Sequence, residues 1–307
     1  MKKLLLLCLL SAGTLYAQLN QVQTNVDQVS VQRPDTLQGW RTSGTLTFLF
    51  NQSSFSNWVA GGVNNYGGNI GVNYNINYDA GPNSWDNRIM IGYGMAKNEG
   101  QELRKTDDRF EINSLYGRTA SGNWSYSFFG NLRTQLTNGY LYDNDQGQNY
   151  PISGFFKPGY LTFGPGMMWR RNDNLKINLA PLTSKITMLS GEVFTYDDAT
   201  QQFISSNQVR TFGVDPGQSM RYELGFFAQG YAKFNLMQNV SVENILSLYS
   251  NYLDRPQNID IDHTLNIVMP INRYLSTNLT LQSVYDHDAI NRLQFRQLFG
   301  LGLNVNL

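Results

Sequence analysis

RYELGFFAQGYAKFNL, residues 221–236, decides the fold, because its apolar and polar side chains alternate almost one by one. Tyr222, Leu224, Phe226, Ala228, Ala232, Phe234 and Leu236 fall on one face, and Arg221, Glu223, Gln229, Lys233 and Asn235 on the other. A period of two belongs to an extended strand, whose successive side chains leave opposite faces. NIGVNYNINYD, residues 69–79, repeats the pattern, with Ile70, Val72, Tyr74, Ile76 and Tyr78 opposed to Asn69, Gly71, Asn73, Asn75, Asn77 and Asp79. A soluble sandwich also alternates, but its inner face takes up few charges. The connections between strands therefore arbitrate.

Outward from these two segments, alternation marks twelve strands, at 43–52, 65–79, 85–97, 108–119, 124–135, 159–170, 174–187, 219–237, 240–252, 258–269, 274–286 and 296–307. Short links (AGPNS, SGN, NDN, QN and INR) alternate with longer ones, among them TNGYLYDNDQGQNYPISGFFKPG (137–159) and SGEVFTYDDATQQFISSNQVRTFGVDPGQ (190–218). Short periplasmic turns and long extracellular loops are the rhythm of an outer-membrane barrel. The expected fold is all-β, a single antiparallel transmembrane β-barrel of about twelve strands in the bacterial outer membrane. The last strand supports this: Phe299, Leu301, Leu303, Val305 and Leu307 alternate with Gly300, Gly302, Asn304 and Asn306, as in an insertion signal for the outer-membrane assembly machinery. Trp40, Trp85, Trp124, Tyr160, Trp169, Tyr252 and Tyr274 lie near strand ends, where aromatic girdles meet the lipid headgroups.

Residues 1–17 place Lys2 and Lys3 before a leucine-rich run and end at Ala17, the layout of a cleaved signal peptide. Cys8, the only cysteine, lies inside that run, so the mature chain is expected to have no thiol chemistry. Residues 18–38 are polar and broken by Pro34, and read as a flexible periplasmic lead; the barrel is assigned to 39–307. No later stretch approaches the ~20 apolar residues of a membrane helix. With 23 basic and 23 acidic residues the chain is not a basic nucleic-acid binder.

Several strings together are similar to one known family: NQSSFSNWVAGG (51–62), SWDN (84–87), RKTDDRFEINSLYG (104–117), RTQLTNGY (133–140), FKPGYLTFGPGM (156–167), APLTSK (180–185) and VYDHD (284–288). In this order they resemble the Bacteroidetes outer-membrane protein family catalogued as domain-of-unknown-function family 3078. The resemblance implies an outer-membrane location and brings no reaction, substrate or catalytic residue with it.

By parity, Arg88, Glu111, Arg133, Lys176, Glu223, Lys233 and Glu243 project into the lumen, where mixed charges pair to fill the bore or line a narrow water path. Topology gathers Gln52, Asn57, Lys105, Asp107, Asp108, Arg109, Gln135, Asn138, Asp286, His287 and Asp288 at the extracellular mouth. The acid-rich DNDQG (143–147), KTDD (105–108) and DHD (286–288) read as solvated loop acids rather than a calcium site, because a closing bidentate carboxylate is missing. No metal, cofactor or catalytic residue is expected. The function expected is non-enzymatic: a narrow small-solute channel, or an accessory or scaffold subunit of a surface complex. The alternative is a lipid-modifying, phospholipase-like barrel built on His263, with Ser250 or Ser283 as nucleophile. The expected partners are outer-membrane lipid and lipopolysaccharide, the assembly machinery, and a protein at the extracellular loops.

Overall fold

The computed structural model describes residues 38–54, 64–143, 148–197, 200, 202–272, 274–287 and 290–306. Twelve strands close a single antiparallel barrel: β1 (Gly39–Ser53), β2 (Asn65–Ala80), β3 (Asn83–Asn98), β4 (Arg104–Ser121), β5 (Trp124–Thr134), β8 (Gly159–Asn172), β9 (Leu175–Met188), β12 (Met220–Met237), β13 (Val240–Asn251), β14 (Ile259–Pro270), β15 (Leu275–Asp286) and β16 (Ile290–Asn306). Each pairs with its predecessor in the wall, and β1 closes on β16 from Thr45↔Asn306 to Phe50↔Leu301. Closure joins the two ends of the sheet over these six pairs, as an apolar solvent favours by requiring partners for backbone amides and carbonyls.

The strands run two to six residues beyond several of their expected ends. Two short hairpins in the long loops were not expected at all: β6 (Gly139–Asp143) with β7 (Gln148–Ser153), and β10 (Phe194–Asp197) with β11 (Gln202–Ser205). At the opposite end the turns are tight. Gly81 and Gly122 take φ of +54° and +56° there, a conformation that a side chain would strain.

The barrel is an inverted globule. Its outer face carries exposed Phe48, Ile70, Phe128, Phe234, Leu236, Phe299, Leu301 and Leu303, whereas Glu111, Asn178, Lys185 and Glu223 are buried inside. Near the short-turn end Trp40 packs at a tilt against Tyr78 and Trp85, ring centres 5.1 and 5.7 Å away, and Trp124 and Tyr274 are exposed. Tyr160 is a correction to the aromatic girdle: it points into the lumen, with the Arg133 guanidinium 5.2 Å from its ring centre. At the long-loop end lies a small apolar core, Leu189, Val193 and Val214 with Phe212. The two hairpins meet beside it, with Tyr150 stacked on Phe203 at 3.8 Å and edge-on to Phe194 at 5.4 Å.

One irregularity governs the interior. Pro181 and Leu182 of β9 stand opposite the single residue Phe226 of β12, since Ala180 pairs with Phe227 and Thr183 with Gly225. Such a bulge adds one residue to a strand and exchanges its faces beyond that point. Proline, which has no amide to give the ladder, is at home there. Below the bulge Lys176, Asn178 and Ala180 turn inward; above it Thr183, Lys185 and Thr187 do so. The displaced β9 backbone comes so close to β8 that a Cβ on Gly164 or Gly166 would lie 2.4 Å from the carbonyl oxygens of Leu182 or Leu179.

Candidate functional site

An eight-stranded barrel is just wide enough for its own side chains. Twelve strands leave room, and a cavity of about 1070 Å³ runs from Asp173 and Asn174 at the short-turn end to Asp260 and Asp286 near the long-loop end. Its walls are rich in asparagine (Asn75, Asn77, Asn113, Asn131, Asn178), with the stacked rings of Phe129 and Phe227 (4.6 Å) and the tyrosines Tyr160, Tyr231 and Tyr249.

Two tiers of ion pairs cross this space. In the lower tier Arg88 Nη1 of β3 reaches Glu243 Oε1 of β13 at 3.1 Å, and Lys176 Nζ and Arg170 Nη2 converge on Asp86 Oδ2 at 2.9 and 2.6 Å. Tyr231 and Asn266 also donate to Glu243, both at 3.0 Å. In the upper tier Arg133 of β5 reaches Asp262 of β14, Arg296 of β16 pairs with Asp107 of β4, and Glu111 accepts from Arg109, Asn113 and Asn131. Lys185 Nζ lies 2.9 Å from Asp260, 3.7 Å from Glu223 and 4.0 Å from Asp286. These carboxylates have their charges met by opposite charges and by amide donors, as burial demands.

Of the seven residues read from parity as lumen-lining, Arg88, Glu111, Arg133, Lys176 and Lys233 line the cavity. Glu243 lies in the lumen as the partner of Arg88, and Glu223 lines a smaller recess of about 10 Å³ with Asn251, Asp260 and His287. Of the eleven residues assigned to the mouth, the nine that lie among the described residues fall into separate groups. Lys105 Nζ bonds Asp108 (2.8 Å), Gln135 (3.1 Å) and the Thr137 carbonyl (2.8 Å), while Asp108 accepts from the amides of Leu136 and Thr137, so this group braces the loop after β5. Asn138 contacts the Tyr140 hydroxyl at 3.3 Å, and Gln52 is exposed at the end of β1. Asp107 and Arg109 turn down to the upper tier, joined by Asp286 beside Lys185, and His287 sits 3.2 Å from Arg255. Asn57 and Asp288 fall outside the described residues, as do residues 1–37 with the signal peptide and most of the lead.

Sequence parity missed Asp86, Arg170, Lys185, Asp260, Asp262 and Arg296. Alternation with Thr264 and Asn266 marks Asp260 and Asp262 as inward residues; Lys185 carries no such mark, because counting from Lys176 without the bulge turns it outward. His263 is on the outer face, its Nε2 3.0 Å from Asn244 Nδ2 and its cross-strand partner Ser283, whereas the Ser250 hydroxyl donates to the Pro256 carbonyl at 2.6 Å. Among the described residues no group of three His, Cys, Asp or Glu is placed to hold a metal ion.

No curated protein matches the sequence. Among solved structures, the chain is similar to the translocator domain of the autotransporter NalP from Neisseria meningitidis (11% identity, 96% of each chain, TM-score 0.36). It is also similar to an outer membrane channel from Pseudomonas putida F1 (10% identity, 90% of this chain and 98% of that one, TM-score 0.38) and to the NanC porin (7% identity, 86% and 97%, TM-score 0.34). Residues 50–140, from the end of β1 into β6, match a family described as "Protein of unknown function (DUF3078)".

Proposed function

We propose that this protein is a non-enzymatic β-barrel of the bacterial outer membrane, its short turns in the periplasm and its long loops at the cell surface, forming a narrow, ion-pair-lined passage for small polar solutes. The observation that carries this reading is the cavity of about 1070 Å³ between Asn174 and Asp260, walled by amide, charged and tyrosine side chains. Paired charges leave such a wall wet yet close to neutral, which suits small polar solutes better than ions of one sign. Export through residues 1–17 belongs to the same proposal and predicts a mature protein beginning at Gln18. Against the hydrolase alternative, His263 Nε2 is turned to Asn244 and the Ser250 hydroxyl to a carbonyl. The test is conductance of the purified barrel in a planar bilayer, where small, uniform steps are expected.

A second reading, an accessory subunit of a surface complex, draws on one observation. The hairpins β6–β7 and β10–β11, after β5 and β9, meet through Tyr150, Phe194 and Phe203, a contact that could hold them together against a partner. A barrel silent in the bilayer favours this reading over the channel.

A further inference from the structure

The upper tier holds a group that the ion-pair ladder does not explain. Tyr249, 6% exposed, turns its ring into the cavity, and its hydroxyl is buried with no hydrogen-bond partner among the described residues. The ring lies over Gly225, where a Cβ would come within 2.1 Å of the Ser250 carbonyl oxygen and 2.9 Å of the ring, so a glycine on β12 lets both sit close. Lys185 extends across that ring, its Nζ 4.8 Å from the centroid and 2.9 Å from Asp260, with Asp286 at 4.0 Å and Glu223, which also pairs with Arg221 at 3.2 Å and accepts from Asn251 at 2.9 Å, at 3.7 Å. An aromatic face beside several carboxylates, with an unmet hydroxyl that can accept an N–H, is chemistry for an organic ammonium ion. A calcium ion requires carboxylate oxygens converging to about 2.3–2.6 Å from it, and no group of three His, Cys, Asp or Glu placed to hold a metal occurs among the described residues.

We infer that Asp260, Asp286, Glu223 and Tyr249 form a binding site for small alkylammonium ions, which Lys185 occupies as a tethered ligand and from which an incoming amine displaces it. The bulge at Pro181–Leu182 serves this arrangement, since without its exchange of faces Lys185 would point into lipid. The site deepens the reading of the lumen as a solute passage and rests on it for the route of entry.

Calorimetric titration of n-butylammonium into the detergent-solubilised full chain tests the site independently of conduction. The parent is expected to bind weakly, because the amine competes with a lysine held in place. Lys185→Gln vacates the site and is expected to tighten binding about tenfold or more, and adding Asp260→Asn reverses the gain, since each step changes the local charge by one unit. Tyr249→Phe is expected to weaken binding severalfold while the folded band on unheated gels is unchanged, because the hydroxyl has no partner among the described residues. Binding to Lys185→Gln no tighter than to the parent, or unaffected by Tyr249→Phe, overturns the site. If Lys185→Gln does not fold, the parent and Tyr249→Phe decide alone: absence of saturable binding, or equal affinities, overturns it. Amine binding in a barrel without conductance would defeat the channel reading and leave the site standing.

Discussion

Gly164 and Gly166 are the residues on which the interior turns. Each faces a β9 carbonyl that a Cβ would approach to 2.4 Å, and the obstacle is backbone, which cannot swing aside. Gly164→Ala is expected to cost about 1–3 kcal/mol, the usual penalty of overpacking, read as a lower unfolding midpoint in a gel-shift or tryptophan-fluorescence titration. Gly130 meets nothing within 4 Å of an added Cβ, so Gly130→Ala should leave the midpoint unchanged. Equal effects at the two positions would refute the close approach of β8 and β9. Lys185 depends on the same contact. The β9 register alone decides whether its ammonium meets Asp260 or lipid.

β12 offers the cleanest comparison of faces within one strand. Tyr222, Phe234 and Leu236 are exposed on its outer side, while Glu223 is buried and Gln229 donates to Ser247 at 3.1 Å inside. Phe226→Arg, on the outer face, is expected to reduce folding free energy by about 2–4 kcal/mol, measured by urea unfolding in lipid vesicles; Gln229→Arg faces the wet lumen and should cost far less. The ends of the elements make a second expectation. Surface protease on intact cells should cut near Gln202 in the β10–β11 hairpin and spare the turns at Gly122, Asp173, Gln238 and Asn272. Cleavage at Asp173 with Gln202 intact would invert the barrel in its membrane.

For the molecule as a whole, conduction depends on ion pairs that span the bore. Arg133 belongs to one of them, set against Asp262 on the far wall with Glu111 nearby on β4. Arg133→Glu brings a third carboxylate to these two and is expected to shift the reversal potential toward cation selectivity and to enlarge the conductance step, because a charge at a narrow point sets the local potential. In the alternative scaffold, a silent parent would be joined by an unstable variant, since breaking an inward pair strands a charge. An Arg133→Glu barrel that is both silent and as stable as the parent would defeat the passage and the paired ladder alike.

The chain by itself determined the wall of this protein. Alternation in 69–79 and 221–236, with short and long links in turn, was enough to place all twelve barrel strands, because in a membrane the two faces of each strand meet solvents of opposite polarity. Arg88, Lys176 and Lys233, on strands whose alternation runs unbroken around them, lie along the cavity. Pairing across the bore was another matter. Arg88 with Glu243, Arg133 with Asp262 and Lys185 with Asp260 join residues 155, 129 and 75 positions apart, and no local pattern encodes which inward charges stand at one height once twelve strands tilt and close. Parity likewise failed at Pro181–Leu182, where one extra residue exchanges the faces of β9, and at Tyr160, whose aromatic ring suited a girdle as well as a lumen. Only the closed register decided that these side chains meet inside the barrel, since their neighbours are supplied by strands far away in the chain.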